Sequence, residues 1–230
     1  MSGRTDDLST EAVVAAVREV AGLGGFFALD VAEDTAPRGP AGGRLRAEVF
    51  AELSRAVDVR YATDEARVGT SIAHLGLAAR LWSPVLACAL LHGIVLDLGA
   101  VEWAEGSSAL RLALPRARPA RCFPSLPEAV YAQVDGALGT VERRLSVKIA
   151  AGLLAGNTAS ALAGSAAVLL RSRPDLRAGL TALTHDLLDT GRLRGTGRIT
   201  GPDLSFRRRS CCLYYRVPGG GMCGDCCLLD

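Results

Sequence analysis

Five of the seven cysteines fall in the last twenty residues, as Cys211, Cys212, Cys223, Cys226 and Cys227. Four of them spell C-C-x10-C-x2-C, and Cys227 follows directly. That is a metal-site pattern, with redox-active or disulfide-paired thiols as the other reading. A C-x2-C turn brings two thiolates close together, which suits either zinc or an iron-sulfur cluster. Zinc ribbons normally wrap one tetrahedral ion with two C-x2-4-C knuckles, and adjacent cysteines serve that geometry poorly because consecutive side chains diverge. A two-iron cluster spreads its ligand positions more widely and accommodates that divergence at Cys211 and Cys212. Spacing does not say which iron each sulfur would bind. Between the pairs, Pro218 and Gly219 to Gly221 allow a tight turn, whose peptide N–H groups are expected to donate to cluster sulfurs and raise the reduction potential.

The charge around this motif is uneven. From Arg192 to Arg216 seven arginines face one aspartate, while the whole chain carries only +2. A solvated charge run and a nucleic-acid patch are two explanations of Arg207, Arg208 and Arg209. The third is a field beside the cluster and its substrate. A two-iron cluster with four thiolates carries about 2− when oxidised and about 3− when reduced, so nearby guanidinium groups favour the extra electron. They also attract an anionic chelate or an acidic donor. Nucleic-acid binding calls for basic residues interleaved with aromatics over a broader surface, which Tyr214 and Tyr215 supply only weakly. Arg207, Arg208, Arg209 and Arg216 are therefore candidates for cluster tuning or for substrate and donor electrostatics.

The cysteine motif, the basic run before it, the LYYR stretch and the PGGG loop together resemble the FhuF-type ferric-siderophore reductases. A weaker similarity extends through Trp82-Ser83-Pro84 and through Gly156 to Ala161. The resemblance implies a 2Fe-2S cluster bound by Cys211, Cys212, Cys223 and Cys226, and a one-electron reductase that releases ferrous iron from imported ferric siderophores. It implies a separate electron donor, such as a ferredoxin, a flavodoxin or a reductase, because no flavin or nicotinamide fingerprint is present. A zinc-stabilised nucleic-acid or protein-binding module and an iron-sulfur redox sensor are the alternatives.

Other chemistries lack their signatures. Gly195-x-Gly197 has no third glycine at the required place, and Walker A, G-x-S-x-G and H-E-x-x-H sequences are missing. His74, His92 and His185 stand apart on helical segments and read as structural. Asn157, mid-helix among small residues, needs partners for its amide and is expected to fix helix packing. An odd cysteine count concentrated in one motif points to a reducing compartment, with Cys88 and Cys122 as core or incidental thiols. The opening residues show no basic start followed by an apolar run, so no signal peptide and a cytoplasmic location are expected. Ile149 to Leu170 is free of charge, yet its Asn, Thr and Ser residues suit a buried central helix better than a membrane span.

These features must be carried by a scaffold of 230 residues, 49% of them hydrophobic, which is ample for a buried core. The expected class is α+β, mainly helical with a few short strands and two packed lobes. Residues 1–114 form a helical lobe with a β-hairpin, 115–127 a proline-rich linker, and 128–230 a helical lobe ending in the cysteine motif at 207–230. Ser9 or Thr10 caps a helix that ends at the glycines from Gly22. Phe26 to Val31 suggests a short strand, Asp34 to Gly43 a loop, and Leu45 to Val57 a helix. Asp64 or Thr63 starts another helix, and Ser83-Pro84 divides the mostly apolar stretch from Arg67 to Leu98 into two packed helices. Val101 to Leu114 reads as the hairpin. Helices are expected over Pro127–Arg143, Ser146–Leu170 and Pro174–Asp189, and a loop or short strand pair over Gly191–Gly201.

Overall fold

Ser9 opens the first helix, α1 (Thr10–Ala21), its Oγ accepting from the Ala12 N–H at 3.2 Å, and the Gly22 N–H closes the far end. Val13, Ala16, Val17 and Val20 are its buried stripe, at the spacing of one helical face. The computed structural model describes residues 7–32, 45–104 and 107–229. The expected strand over Phe26 to Val31 is a 3-10 turn at Gly25–Phe27 followed by a two-residue strand, β1 (Asp30–Val31). The expected loop from Asp34 to Gly43 lies outside the described residues.

Two helices follow, α2 (Ala47–Arg60) and α3 (Ala66–Leu91). The second corrects an expectation: Ser83-Pro84 does not divide it, and Pro84 lies inside one continuous helix. A proline there removes a hydrogen bond and crowds the previous turn, at a cost of about 3 kcal/mol. Burial offsets it. Trp82 is fully buried, and some 200 Å² of aromatic surface at about 25 cal/mol per Å² contributes roughly 5 kcal/mol. The Trp82 indole N–H donates to the Thr158 carbonyl at 3.1 Å, and Ser83 Oγ donates to Ser165 Oγ at 2.9 Å. Ser83 therefore serves a partner helix rather than a cap.

Four short strands come next: β2 (Ile94–Leu96), β3 (Val101–Trp103), β4 (Leu110–Leu112) and β5 (Ala117–Pro119). The hairpin is β3 with β4, antiparallel, with Val101 opposite Leu112 and Trp103 opposite Leu110. β1 adds to β4 in parallel. Within the proline-rich stretch, β5 pairs antiparallel with β2. Pro119 sits at the end of its strand, where a missing N–H costs least.

The remaining helices are α4 (Leu126–Glu142), α5 (Ala151–Ser172) and α6 (Arg177–Leu188). Ser125 Oγ caps α4 by accepting from the Glu128 N–H, with Pro127 in the first turn. A last pair, β6 (Gly197–Ile199) and β7 (Phe206–Arg208), runs antiparallel. The class is thus mainly helical α+β. At the centre α3 lies against α5, whose buried Ala155, Gly156, Ala159 and Ala163 let the two backbones approach closely. Both helices are long and apolar enough to cross a membrane, and 67% and 78% of their most apolar windows are buried inside the protein.

Candidate metal centre

The cysteine segment is held from two sides. On one side β7 lies on α5, and Gly156 makes this possible: a Cβ there would meet Ser210 Oγ at 2.0 Å and Arg208 Nη2 at 3.1 Å. Gly197 allows the hairpin, since a Cβ would strike the Phe206 ring at 2.2 Å and the Arg207 carbonyl at 2.5 Å. From β7 the Arg208 N–H donates to the Asp225 carbonyl at 3.1 Å. Arg207 Nη1 donates to the Cys226 carbonyl at 2.9 Å and also to the Leu229 carbonyl. On the other side, Ser71 Oγ at the start of α3 donates to the Cys212 carbonyl at 2.7 Å. Arg216 pairs with Glu65 at 2.8 Å, and Tyr214 stands edge-on to Tyr61 with ring centroids 5.8 Å apart.

Within this clamp Cys212 and Cys226 are buried, while Cys211, Cys223 and Cys227 are half-buried. Cys212 Sγ and Cys223 Sγ are 3.3 Å apart. Two thiolates about 2.3 Å from one tetrahedral metal stand roughly 3.8 Å from each other, so this pair is close to a shared-ion separation. Among the described residues no three His, Cys, Asp or Glu side chains converge as a single-ion site would require. Burial is the main cause that pushes the Cys211 thiol up, with Cys212, Cys227 and Cys226 adding to it and the Leu213 N–H opposing. Burial also pushes Cys223 up, helped by the bond to Cys212 and by Asp225. Thiols that raise one another in this way hold their protons until a cation replaces them.

Two peptide N–H groups already point at sulfur: Leu213 to Cys211 Sγ at 3.3 Å, and Leu228 to Cys226 Sγ at 3.4 Å. Each lies two residues beyond its cysteine. Leu213 does this from a left-handed conformation, φ +69°, which is uncommon for a leucine and costs about 1 kcal/mol or more. The glycine loop, expected to supply such donors, does not do so among the described residues. Its Gly220 N–H bonds to the Val217 carbonyl at 2.8 Å instead, closing the turn on itself.

Residues 208–228 match the FhuF 2Fe-2S C-terminal domain. The match spans all five cysteines, and their donor chemistry is consistent with a 2Fe-2S cluster. Neither a curated protein nor a solved structure matches the chain. The FhuF-type domain is therefore the part of the molecule to which a known family speaks, and α3, α5 and the β6/β7 hairpin are what this chain builds around it.

The arginines named from sequence separate into different roles. Arg207 ties down the carbonyls of Cys226 and Leu229, and Arg216 is paired with Glu65. Arg208 is 1% exposed, packed against α5, with its Nη2 donating to Asn157 Oδ1 at 2.6 Å. Arg209 is exposed, and its side chain has no partner among the described residues. Asn157 fulfils the expectation of a packing role, since its Nδ2 donates to the Ser71 carbonyl at 2.9 Å and to Ser71 Oγ at 3.1 Å.

None of the histidines joins a motif cysteine in a metal-holding group among the described residues. His74 is buried against Glu142 at 2.8 Å, His92 ends α3, and His185 is exposed on α6. Cys88 is a core thiol, pushed up to about 12 by burial and by Glu19. Sequence reasoning missed Ser71, Leu213 and Leu228. Ser71 carries no local signal, because its partners lie 86 and 141 residues away. The two leucine N–H groups follow from a recurring C-x-L spacing, visible in Cys211-Cys212-Leu213 and Cys226-Cys227-Leu228, whose meaning depends on backbone angles.

Proposed function

We propose that this chain is a one-electron reductase of ferric siderophores, working in the cytoplasm, with Cys211, Cys212, Cys223 and Cys226 as ligands of a 2Fe-2S cluster. The observation that carries this is the conjunction of the FhuF-type domain match with a clamped cysteine segment in which sulfurs pair and receive backbone N–H donors. When bound, the cluster supplies electrons one at a time.

The protein's own residues do the positioning. Arg207, Ser71 and Arg208 fix the carbonyls of Cys226, Cys212 and Asp225, so the two halves of the motif are held against a rigid pair of helices. The Leu213 and Leu228 N–H groups stabilise negative charge on sulfur and so favour the reduced state. Arg209, exposed and free of a side-chain partner among the described residues, offers a positive field to an anionic chelate. Hydroxamate or catecholate oxygens hold ferric iron far more tightly than ferrous. The ferric ion of the substrate takes one electron and leaves its chelate as ferrous iron, and a separate protein donor restores the electron. No proton transfer is needed for this step.

The test is anaerobic. Stoichiometrically reduced protein is mixed with a panel of hydroxamate and catecholate ferric chelates in the presence of a ferrous-specific chelator. One ferrous ion captured per chain reoxidised supports the proposal. Protein that stays reduced against the whole panel overturns it.

A further inference from the structure

Arg208 is an anomaly of electrostatics. It is 1% exposed, and its single side-chain partner is the neutral Asn157 amide, at 2.6 Å from Nη2. Its Nε and Nη1 are buried with no hydrogen-bond acceptor. No carboxylate lies within 4.0 Å of the guanidinium among the described residues. The contrast with Arg192 is instructive: that half-buried arginine is met by Asp135 at 2.7 Å and by Glu142 at 2.5 Å. Buried charges are paired because desolvation is otherwise uncompensated. A guanidinium left with two unanswered N–H ends in the core is awaiting an anion.

Its location says which anion. Asn157, which grips Nη2, also donates to Ser71, and Ser71 Oγ donates to the Cys212 carbonyl at 2.7 Å. The backbone N–H of Arg208 itself bonds to Asp225, inside the C-x2-C turn, at 3.1 Å. Arg208 is thus tied through one hydrogen-bonded chain to Cys212 and through its own backbone to the loop of Cys223 and Cys226. The Asp225 carboxylate acts on Cys223, and among the described residues it forms no ion pair with Arg208.

We infer that Arg208 is the buried counter-charge of the metal cluster, and that Asn157 holds it by a neutral hydrogen bond so that its full positive charge remains available to the cysteine site. This rests on the cluster assignment proposed above and adds a positioning pair that sets the potential. A carboxylate at position 157 would hold the arginine equally well, and would cancel the charge. An amide holds it without doing so. The small Gly156 beside it admits Nη2 against the helix, at a place where a Cβ would lie 3.1 Å away.

The test is the midpoint potential of the anaerobically purified, cluster-loaded full chain, measured by redox titration of its visible spectrum, with melting temperature recorded alongside. N157D sets a negative charge against the arginine without changing side-chain size, but a carboxylate cannot donate to Ser71 as Asn157 Nδ2 does, so its melting temperature and the R208Q and R208K pair are read beside it. The expected result is a fall of about 59 mV, a tenfold shift in a one-electron equilibrium. R208Q is expected to fall by a similar factor, and R208K to stay within about threefold of the parent. An N157D chain that folds but assembles no cluster reports the lost Ser71 bonds, and the R208Q and R208K potentials then decide. If R208Q fails to fold, N157D and R208K carry the test. An unshifted potential in N157D, or an equal fall in R208K and R208Q, overturns the inference and leaves Arg208 a structural residue. Failure of the parent chain to hold iron would sink the proposed function instead, so the two failures are distinguishable.

Discussion

Replacing Glu142 by Gln should destabilise the protein at neutral pH by about 3 kcal/mol and by almost nothing near pH 2. Glu142 ends α4 with 11% of its side chain exposed, and its Oε1 accepts from His74 Nε2 at 2.8 Å and from Arg192 Nη2 at 2.8 Å. Burial alone would raise its pKa. The bonds and charges of His74 and Arg192 outweigh burial and hold the carboxyl at about 2, against an ordinary value of 4.5. At 1.36 kcal/mol per pH unit, that difference amounts to about 3 kcal/mol of preference for the charged form in the folded state. The folded value is the depressed one. The stabilisation is therefore fully present above pH 4.5 and is lost as the pH falls from 4.5 towards 2. Arg192 opens the segment that runs to β6 and the cysteines, so this pair also anchors the approach to the metal centre. Urea unfolding of the parent and E142Q chains at several pH values gives the difference directly, and a slope of about 1–3 kcal/mol per molar predicts a midpoint shift of about 1 M or more at pH 7. A shift that stays constant from pH 7 to pH 2.5, or one absent at pH 7, would refute the assignment of this stability to the charge on Glu142.

Two further outcomes follow from the cysteine segment and its seat. Serine at 211, 212, 223 or 226 replaces a soft thiolate with a poor iron ligand and should lose or degrade the cluster, whereas C227S should keep it; C226S with a native spectrum beside a colourless C227S would show the assignment to be off by one residue. Gly156→Leu should push Ser210 and Arg208 off α5, costing roughly 1–3 kcal/mol and lowering iron content together; an unchanged melting temperature would show that β7 does not depend on that contact.

Much of the scaffold was legible because its signals are local. Ser9 and Ser125 sit where cap residues belong, and both accept the N–H three positions on. The alternation over Leu110 and Leu112 marks a half-buried strand, and β4 is one. The cysteine motif was legible for the same reason, since its cysteines are close in sequence. What escaped was decided by tertiary contact. Ser83-Pro84 has the form of a helix start, but the burial of Trp82 and the bond to Ser165 hold the helix through it. Arg208 belongs to a run that looks solvated, although the alternation Phe206, Arg207, Arg208 along β7, buried, half-buried, buried, was available as a sign that it points inward. The His74, Glu142 and Arg192 cluster joins residues 68 and 50 positions apart, and no local pattern announces it.

Whether the cysteine segment holds a two-iron cluster is tested most directly by metal analysis of anaerobically purified native protein. About two irons and two acid-labile sulfides per chain, with a visible spectrum that bleaches on one-electron reduction, is the predicted result. Near-stoichiometric zinc, without iron or sulfide, would contradict it.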